Sequence, residues 1–276
     1  MTLNDIIKQA LGVGSAEGGK GFSYLADSDG VNFVVEQKAF EACKLGRAKR
    51  LLLLQYVYLR QLEEQGFAHQ IANGFSVPSA HAVALEQDGN RLMSLPDTFR
   101  GSFKLKVNGQ TSQTAFSVEL LPEGKAGNPR PNYIIQGPFL AFGQQEKYLM
   151  SPAELLAFSA LDEHRSDVQA SDTEHRNLKL VALLQHAKTL GMPINLSHFN
   201  QLEVFIPQAV SVTAVEQSDG SLLLIPAFGN GADPVMVNRR LGQLKDNTSK
   251  GTLRVGDQII VLDETRFEAT SEILSN

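Results

Sequence analysis

The sequence predicts an α+β protein in which an antiparallel β-rich first unit with one long helix is followed by a smaller α+β unit with a helical hairpin. Hydrophobic residues make up 42% of the 276 residues and charged residues 20%, a composition that supports folded domains. A chain of this length favours two domains. The hydrophobic pattern also changes between helical and strand spacing along the chain. We place the domains at 31–150 and 151–276, after a flexible glycine-rich arm at 1–30.

The first domain is predicted to begin with a short strand and a long helix. Residues 31–36 have strand character, and apolar side chains follow helical spacing from residue 39 to residue 65. Gly66 is a favourable residue to end this helix. The predicted buried stripe consists of Leu51, Leu54, Tyr58 and Leu62.

Residues 69–148 alternate between apolar and polar positions, which predicts an antiparallel sheet or a small barrel. The segments Phe103–Val107 and Ala115–Leu120 show this alternation most clearly. The pairs Asp88-Gly89 and Asn108-Gly109 favour tight hairpin turns, because both residues of such a pair tolerate positive φ.

The second domain is predicted to open with a helical hairpin. Ser151 is a favourable N-cap, and Glu154 three residues later completes a capping box. A second helix is predicted from Ser171, with Glu174 three residues later, and it ends at Gly191. The remaining predicted elements are strands at 204–206, 210–215, 222–225 and 259–262 and a helix at 235–244.

Composition limits the cellular setting and the classes of partner. Cys43 is the only cysteine, which excludes an intrachain disulfide and a cysteine-rich zinc site and favours a reducing compartment. The first residues lack a secretory signal, and the apolar run Leu51–Leu54 is far too short to span a membrane. We therefore expect a cytoplasmic protein without membrane contact. The net charge of -5 means that binding to nucleic acid would require a local basic patch.

Two segments match nucleotide-hydrolase motifs only in part. Residues 14–20 have the G-x-x-x-x-G-K spacing, but Gly21 stands where the P-loop needs a hydroxyl to bind magnesium. The strand at 259–262 runs into Asp263 and Glu264, as in magnesium-binding strands, yet any buried strand that enters a solvated loop has this pattern. We therefore predict no catalytic residues and no cofactor in this chain.

Residues 162–175 offer an alternative hypothesis, a metal-dependent enzyme. Imidazole and carboxylate groups bind divalent metals, and this segment concentrates both. The spacing matches no known metal motif, so our primary prediction includes no metal site. The candidate ligands are Asp162, His164, Asp167, Asp172 and His175.

Two groups of basic residues are the candidate contacts for nucleic acid or for a partner protein. A local excess of Lys and Arg in an acidic chain is the pattern that phosphate contacts require. Aromatic residues are not interleaved with them, which argues against a single-strand stacking surface. The first group is Lys44, Arg47, Lys49 and Arg50, and the second is Arg239, Arg240, Lys245, Lys250 and Arg254.

Short segments between residues 75 and 264 carry a family resemblance. They are Phe75–Pro78, Arg91–Pro96, Phe99–Gly101, Gln136–Leu140, Tyr148–Glu154, Val204–Pro207, Asp219–Leu222 and Arg254–Asp257 through Asp263. These segments resemble the region ahead of the motor in long bacterial Snf-type helicases associated with phage defence. The resemblance implies an amino-terminal fragment whose ATPase lies beyond Asn276.

The leading hypothesis is a non-catalytic recognition or autoinhibitory module of a DNA-translocating phage-defence helicase. Its expected partners are duplex DNA, bound through the basic patches, and the helicase core or another defence-system protein. The alternative from a different class is a stand-alone protein-interaction module, in which the sheet of residues 69–148 presents an edge or a loop to a partner.

Overall fold

A computed structural model describes residues 21–124, 127–143, 146–167, 172–207, 210–228, 251–255, 258–263, 265–268 and 270. Its helices and antiparallel sheets confirm the predicted α+β class. The chain divides into two compact units. One contains the residues up to Gly101 together with Gly124–Leu155, and the other contains Ser102–Glu123 and the residues from Leu156 onwards. In this division the hairpin at 102–123 falls in the second unit, whereas the sequence placed it in the domain at 31–150.

The secondary structure is named in chain order. The helices are α1 (Gln37–Lys44), α2 (Arg50–Glu64), α3 (Ser79–Ala82), α4 (Gln87–Leu92), α5 (Pro152–Ser166) and α6 (Thr173–Thr189). The strands are β1 (Ser23–Ala26), β2 (Gly30–Val34), β3 (His69–Ile71), β4 (Gly74–Pro78), β5 (Ser102–Asn108), β6 (Ser117–Glu123), β7 (Ile134–Gln136), β8 (Phe139–Phe142), β9 (Glu146–Leu149), β10 (Glu203–Phe205), β11 (Val210–Glu216), β12 (Leu222–Phe228), β13 (Thr252–Val255) and β14 (Gln258–Val261).

The first unit contains a four-stranded antiparallel sheet in the order β1-β2-β4-β3. Phe33 on β2 pairs with Phe75 on β4, and both side chains are fully buried. Gly74 allows the strands to approach, since a Cβ there would lie 1.9 Å from the Phe33 carbonyl oxygen. Because β1 spans residues 23–26, the predicted flexible arm is wrong for residues 21–30. Residues 1–20, with the G-x-x-x-x-G-K segment, lie outside the described residues.

The predicted long helix is two helices, α1 and α2. Gly46 adopts a positive φ of 67° just after α1, a conformation that ends the helix. The restart at Arg50 also shifts the buried stripe, so that Leu52 is buried while Leu51 is 45% exposed. The predicted helix end is confirmed, because Gly66 follows α2 with a φ of 79°.

Residues 69–148 do not form one sheet or a barrel. Asp88-Gly89 lies inside helix α4, so the predicted hairpin there is wrong. The three strands β7, β8 and β9 form a separate antiparallel sheet in the first unit. The strands β5 and β6 do pair, but residues 109–116 connect them in place of a tight two-residue turn.

The helical hairpin of α5 and α6 was predicted correctly. The Ser151 backbone N–H donates to Glu154 Oε2 at 2.8 Å and the Glu154 N–H donates to Ser151 Oγ at 3.3 Å, which confirms the capping box. The second helix begins at Thr173, where Asp172 accepts a hydrogen bond from the His175 N–H. Ser171, the predicted start, lies outside the described residues.

The rest of the second unit contains a three-stranded sheet, β10-β14-β13, and the hairpin β11-β12. A small core buries Phe228, Leu253, Ile260 and Leu262. The strands predicted at 204–206, 210–215, 222–225 and 259–262 are confirmed, whereas β13 was not predicted. The predicted helix at 235–244 lies outside the described residues. In the part of the chain that the structure describes, the helices are too short or too polar to cross a membrane.

Candidate functional site

The first basic group forms an exposed surface around the turn between α1 and α2. We call Lys44, Arg47, Lys49 and Arg50 the basic turn. These residues do not share one helix as predicted, because Gly46 ends α1 before Arg47. All are exposed. Lys44 is neutralised by Glu41 at 3.0 Å and lies 4.8 Å from the centre of the Phe40 ring. The other three have no acidic partner among the described residues.

The basic turn coincides with the amino terminus of α2. Lys49 is the N-cap residue and makes no side-chain cap, and the first turn of α2 contains no acidic residue. The backbone N–H groups of a first helical turn lack partners within the helix and carry partial positive charge. Here that charge adds to the side-chain charges of Arg47, Lys49 and Arg50. The combined surface favours anions.

The second basic group is described only at its end. Arg239, Arg240, Lys245 and Lys250 lie outside the described residues. Arg254 lies on β13 and is exposed, and its guanidinium forms an ion pair with Glu174 at 2.5 Å. The charge of Arg254 is therefore partly neutralised, which makes Arg254 a weaker candidate for a phosphate contact than Arg47, Lys49 and Arg50.

Part of the segment predicted as a metal site lines a cleft between α5 and α6. The cavity has a volume of about 260 Å³. Its lining includes five titratable residues of the segment 162–175 and two basic residues that follow in α6. Asp162, one of the predicted ligands, does not line it. The lining groups are Glu163, His164, Asp167, Asp172, His175, Arg176 and Lys179.

His164 belongs to a buried hydrogen-bond network centred on Asn177. The Asn177 amide nitrogen donates to the carbonyl oxygens of Thr111 at 2.9 Å and Gln113 at 3.0 Å. The Asn177 Oδ1 atom lies 2.8 Å from His164 Nε2. Since Oδ1 can only accept, His164 donates through Nε2. This network fastens the loop between β5 and β6 to both helices.

His175 also has a structural partner. Its Nδ1 atom lies 3.1 Å from Thr252 Oγ1 on β13. The neighbouring Gly251 has a φ of 102°, and a Cβ there would lie 2.9 Å from His175 Cε1. Burial lowers the pKa of His164 and of His175 below the ordinary histidine value, which favours the neutral rings. His175 is thus a half-buried residue with a hydrogen-bond partner on β13.

These partners leave the cleft without the features of a metal centre. Within the described residues, no three His, Cys, Asp or Glu side chains lie together as ligands. Glu163 is paired with Lys179 across the two helices, and Lys179 would repel a cation. Chemically, the arrangement holds helices and a hairpin together through neutral imidazoles.

The remaining motif residues also have structural roles where they are described. The Asp263 carboxylate accepts a hydrogen bond from the backbone N–H of Arg266 at 2.9 Å and also forms an ion pair with the Arg266 guanidinium. Asp263 therefore caps the helical residues 265–268. Cys43 is buried, and burial raises the pKa of its thiol. A buried, protonated thiol is a small apolar group and a poor nucleophile.

A cavity in the first unit beside Tyr58 was not predicted from the sequence. Tyr58 was predicted only as one residue of an apolar stripe, whereas its hydroxyl oxygen lies against Gly89 of α4. Glycine inside a helix lowers the stability of the helix relative to alanine. Gly89 within α4 is therefore the one sequence signal that could have indicated this cavity. No protein-family model matches the chain, and comparison with curated proteins finds no match.

Proposed function

We propose that this protein is a non-catalytic recognition module that contacts the phosphate backbone of duplex DNA through the basic turn. The single observation behind the proposal is the exposed cluster of Arg47, Lys49 and Arg50 at the amino terminus of α2. Each of these cations lacks an acidic partner among the described residues, so each can neutralise a phosphate.

The geometry supports contacts to the backbone more than contacts to base edges. Arg47 and Lys49 lie in a turn and not on the face of a long helix that could enter the major groove. Phosphate contacts fix the position of a protein on the duplex and carry no sequence information. The proposed module therefore binds DNA without sequence preference. Such binding suits a protein that accompanies a translocating motor, in line with the resemblance to phage-defence helicases.

The test compares charge reversal in the basic turn with charge reversal elsewhere. We expect Arg47→Glu with Lys49→Glu to weaken binding to a duplex of arbitrary sequence by at least roughly tenfold, because two phosphate contacts are lost. The slope of log affinity against log salt should become shallower by about 2. Fluorescence anisotropy between about 50 and about 200 mM salt measures both quantities.

The control reverses Lys104 and Lys188 together, which are exposed residues of the other unit. This variant carries the same net charge as the first, so a general electrostatic effect would weaken both equally. The proposal requires a much smaller loss in the control. It is overturned if the unmodified protein does not bind duplex DNA at low salt, or if both double variants bind alike.

A further inference from the structure

The first unit contains a cavity that the proposed DNA contact does not use. It has a volume of about 320 Å³ and lies between the carboxyl-terminal half of α2 and the segment from α3 to α4. That volume is within the range of small-molecule sites. The walls combine apolar side chains with a few polar groups, which is the usual composition of such sites. None of the lining residues is Lys or Arg.

The most unusual polar group in the cavity is the Tyr58 hydroxyl. Tyr58 is only 6% exposed, and its hydroxyl has no hydrogen-bond partner among the described residues. The described polar atoms that are both fully buried and without a partner do not include the Tyr58 oxygen, so this oxygen is open to a molecule in the cavity that Tyr58 lines. Burial, with a further contribution from Glu86, raises the pKa of Tyr58 to about 12. The hydroxyl therefore stays protonated at neutral pH and can donate to a ligand.

Gly89 makes room for this hydroxyl. Gly89 lies inside α4 and also lines the cavity, and a Cβ on it would lie 2.1 Å from the Tyr58 oxygen. Glycine in a helix interior is unfavourable by roughly 1 kcal/mol relative to alanine. Alanine would stabilise α4 at this position, but its Cβ would clash with the Tyr58 hydroxyl, so only glycine fits beside this side chain.

An aromatic pair forms another wall of the cavity. The rings of Phe67 and His81 lie 4.7 Å apart with an angle of 32° between their planes. Phe67 is 42% exposed, so part of its surface is available to a ligand. Flat rings of this kind bind other flat rings by stacking. Glu86, Gln61 and Gln65 add side-chain oxygen atoms that can accept hydrogen bonds from amino groups.

The geometry points to a binding site for a nucleobase in the cavity lined by Tyr58, Phe67, His81, Glu86 and Gly89. A base that carries an amino group suits the polar and aromatic groups of this lining, because its ring nitrogen can accept from Tyr58, its amino group can donate to Glu86 or a glutamine, and its ring can stack on Phe67. The absence of Lys and Arg from the lining means that the site holds the base and not a phosphate. Adenosine and cytidine should therefore bind better than uridine, and adenosine at least as well as its monophosphate.

The base could come from a free nucleoside or from an unstacked nucleotide in a single strand. Titration of the full chain with adenosine, cytidine, uridine and adenosine monophosphate, followed by ligand-observed NMR, tests the first source. Titration with a short adenine-rich single strand tests the second. Binding of the strand alone, if it depends on Tyr58, supports the site and assigns the source. A tyrosine or phenylalanine amide that binds more tightly than adenosine overturns the proposal in favour of a peptide side chain.

The decisive variant is Tyr58→Phe, which removes one oxygen atom that has no hydrogen-bond partner among the described residues. We expect it to keep the thermal stability and to weaken adenosine binding by roughly tenfold, the value of one neutral hydrogen bond. Tyr24→Phe is the matched control, since Tyr24 lies on β1 beside Phe139 and does not line the cavity. Phe67→Ala should also weaken binding by about tenfold through lost stacking. No nucleoside binding at about millimolar concentration, or equal binding by Tyr58→Phe and the parent, overturns the proposal.

Discussion

Asn177→Ala is expected to lower the free energy of unfolding by about 3 kcal/mol, because it breaks three hydrogen bonds and leaves their partners unsatisfied. Asn177 is completely buried and joins His164 to the carbonyl oxygens of Thr111 and Gln113. Alanine also leaves a small cavity at the junction of α5, α6 and the loop between β5 and β6. Urea unfolding followed by circular dichroism measures the change.

Asn200→Ala is the matched control for this prediction. Asn200 is exposed in the same unit and makes no side-chain hydrogen bond among the described residues. We expect the control to change the free energy of unfolding by less than about 0.5 kcal/mol. If Asn177→Ala costs no more than Asn200→Ala, the network does not hold the hairpin to the helices.

Glu154→Gln is expected to remove a pH-dependent contribution of roughly 3 kcal/mol to the free energy of unfolding. Glu154 is 2% exposed, and burial raises its carboxyl pKa to about 7, partly offset by the hydrogen bonds from Ser151. A carboxyl whose pKa is higher in the folded state than in the unfolded state binds its proton more tightly when folded. Its contribution is therefore fully present below about pH 4.5 and is lost as the pH rises through about 7.

The measurement is the difference in unfolding free energy between the parent and Glu154→Gln as a function of pH. The glutamine keeps an acceptor for the Ser151 N–H and cannot ionise. From about pH 4.5 to about pH 8, the difference should move in favour of the variant by roughly 3 kcal/mol. Taking the difference cancels the effect of the half-buried His164 and His175, whose lowered pKa values destabilise the parent and the variant equally as the pH falls. Glu216→Gln reports the effect of the same substitution at an exposed position without an ion pair among the described residues, and a difference that stays flat with pH would contradict the prediction.

Local patterns predicted the elements whose causes are themselves local. The capping box of Ser151 and Glu154 and the helix end at Gly66 depend on residues a few positions apart, and both are confirmed. The α+β class follows in the same way, because the spacing of apolar residues reflects one buried face of each helix or strand. Asp88-Gly89 shows the limit, since a sequence that favours a turn in isolation lies inside α4.

The candidate sites show the same difference between local and long-range causes. Sequence alone determined that Lys44, Arg47, Lys49 and Arg50 lie close together, because they are neighbours in the chain. Only the tertiary structure decided that the Tyr58 hydroxyl lies against Gly89 and that Asn177 joins His164 to the loop between β5 and β6. Tyr58 and Gly89 are 31 positions apart in the sequence, and Asn177 is 66 and 64 positions from Thr111 and Gln113 in that loop. Their partners are chosen by packing geometry, which leaves no periodic signal in the sequence.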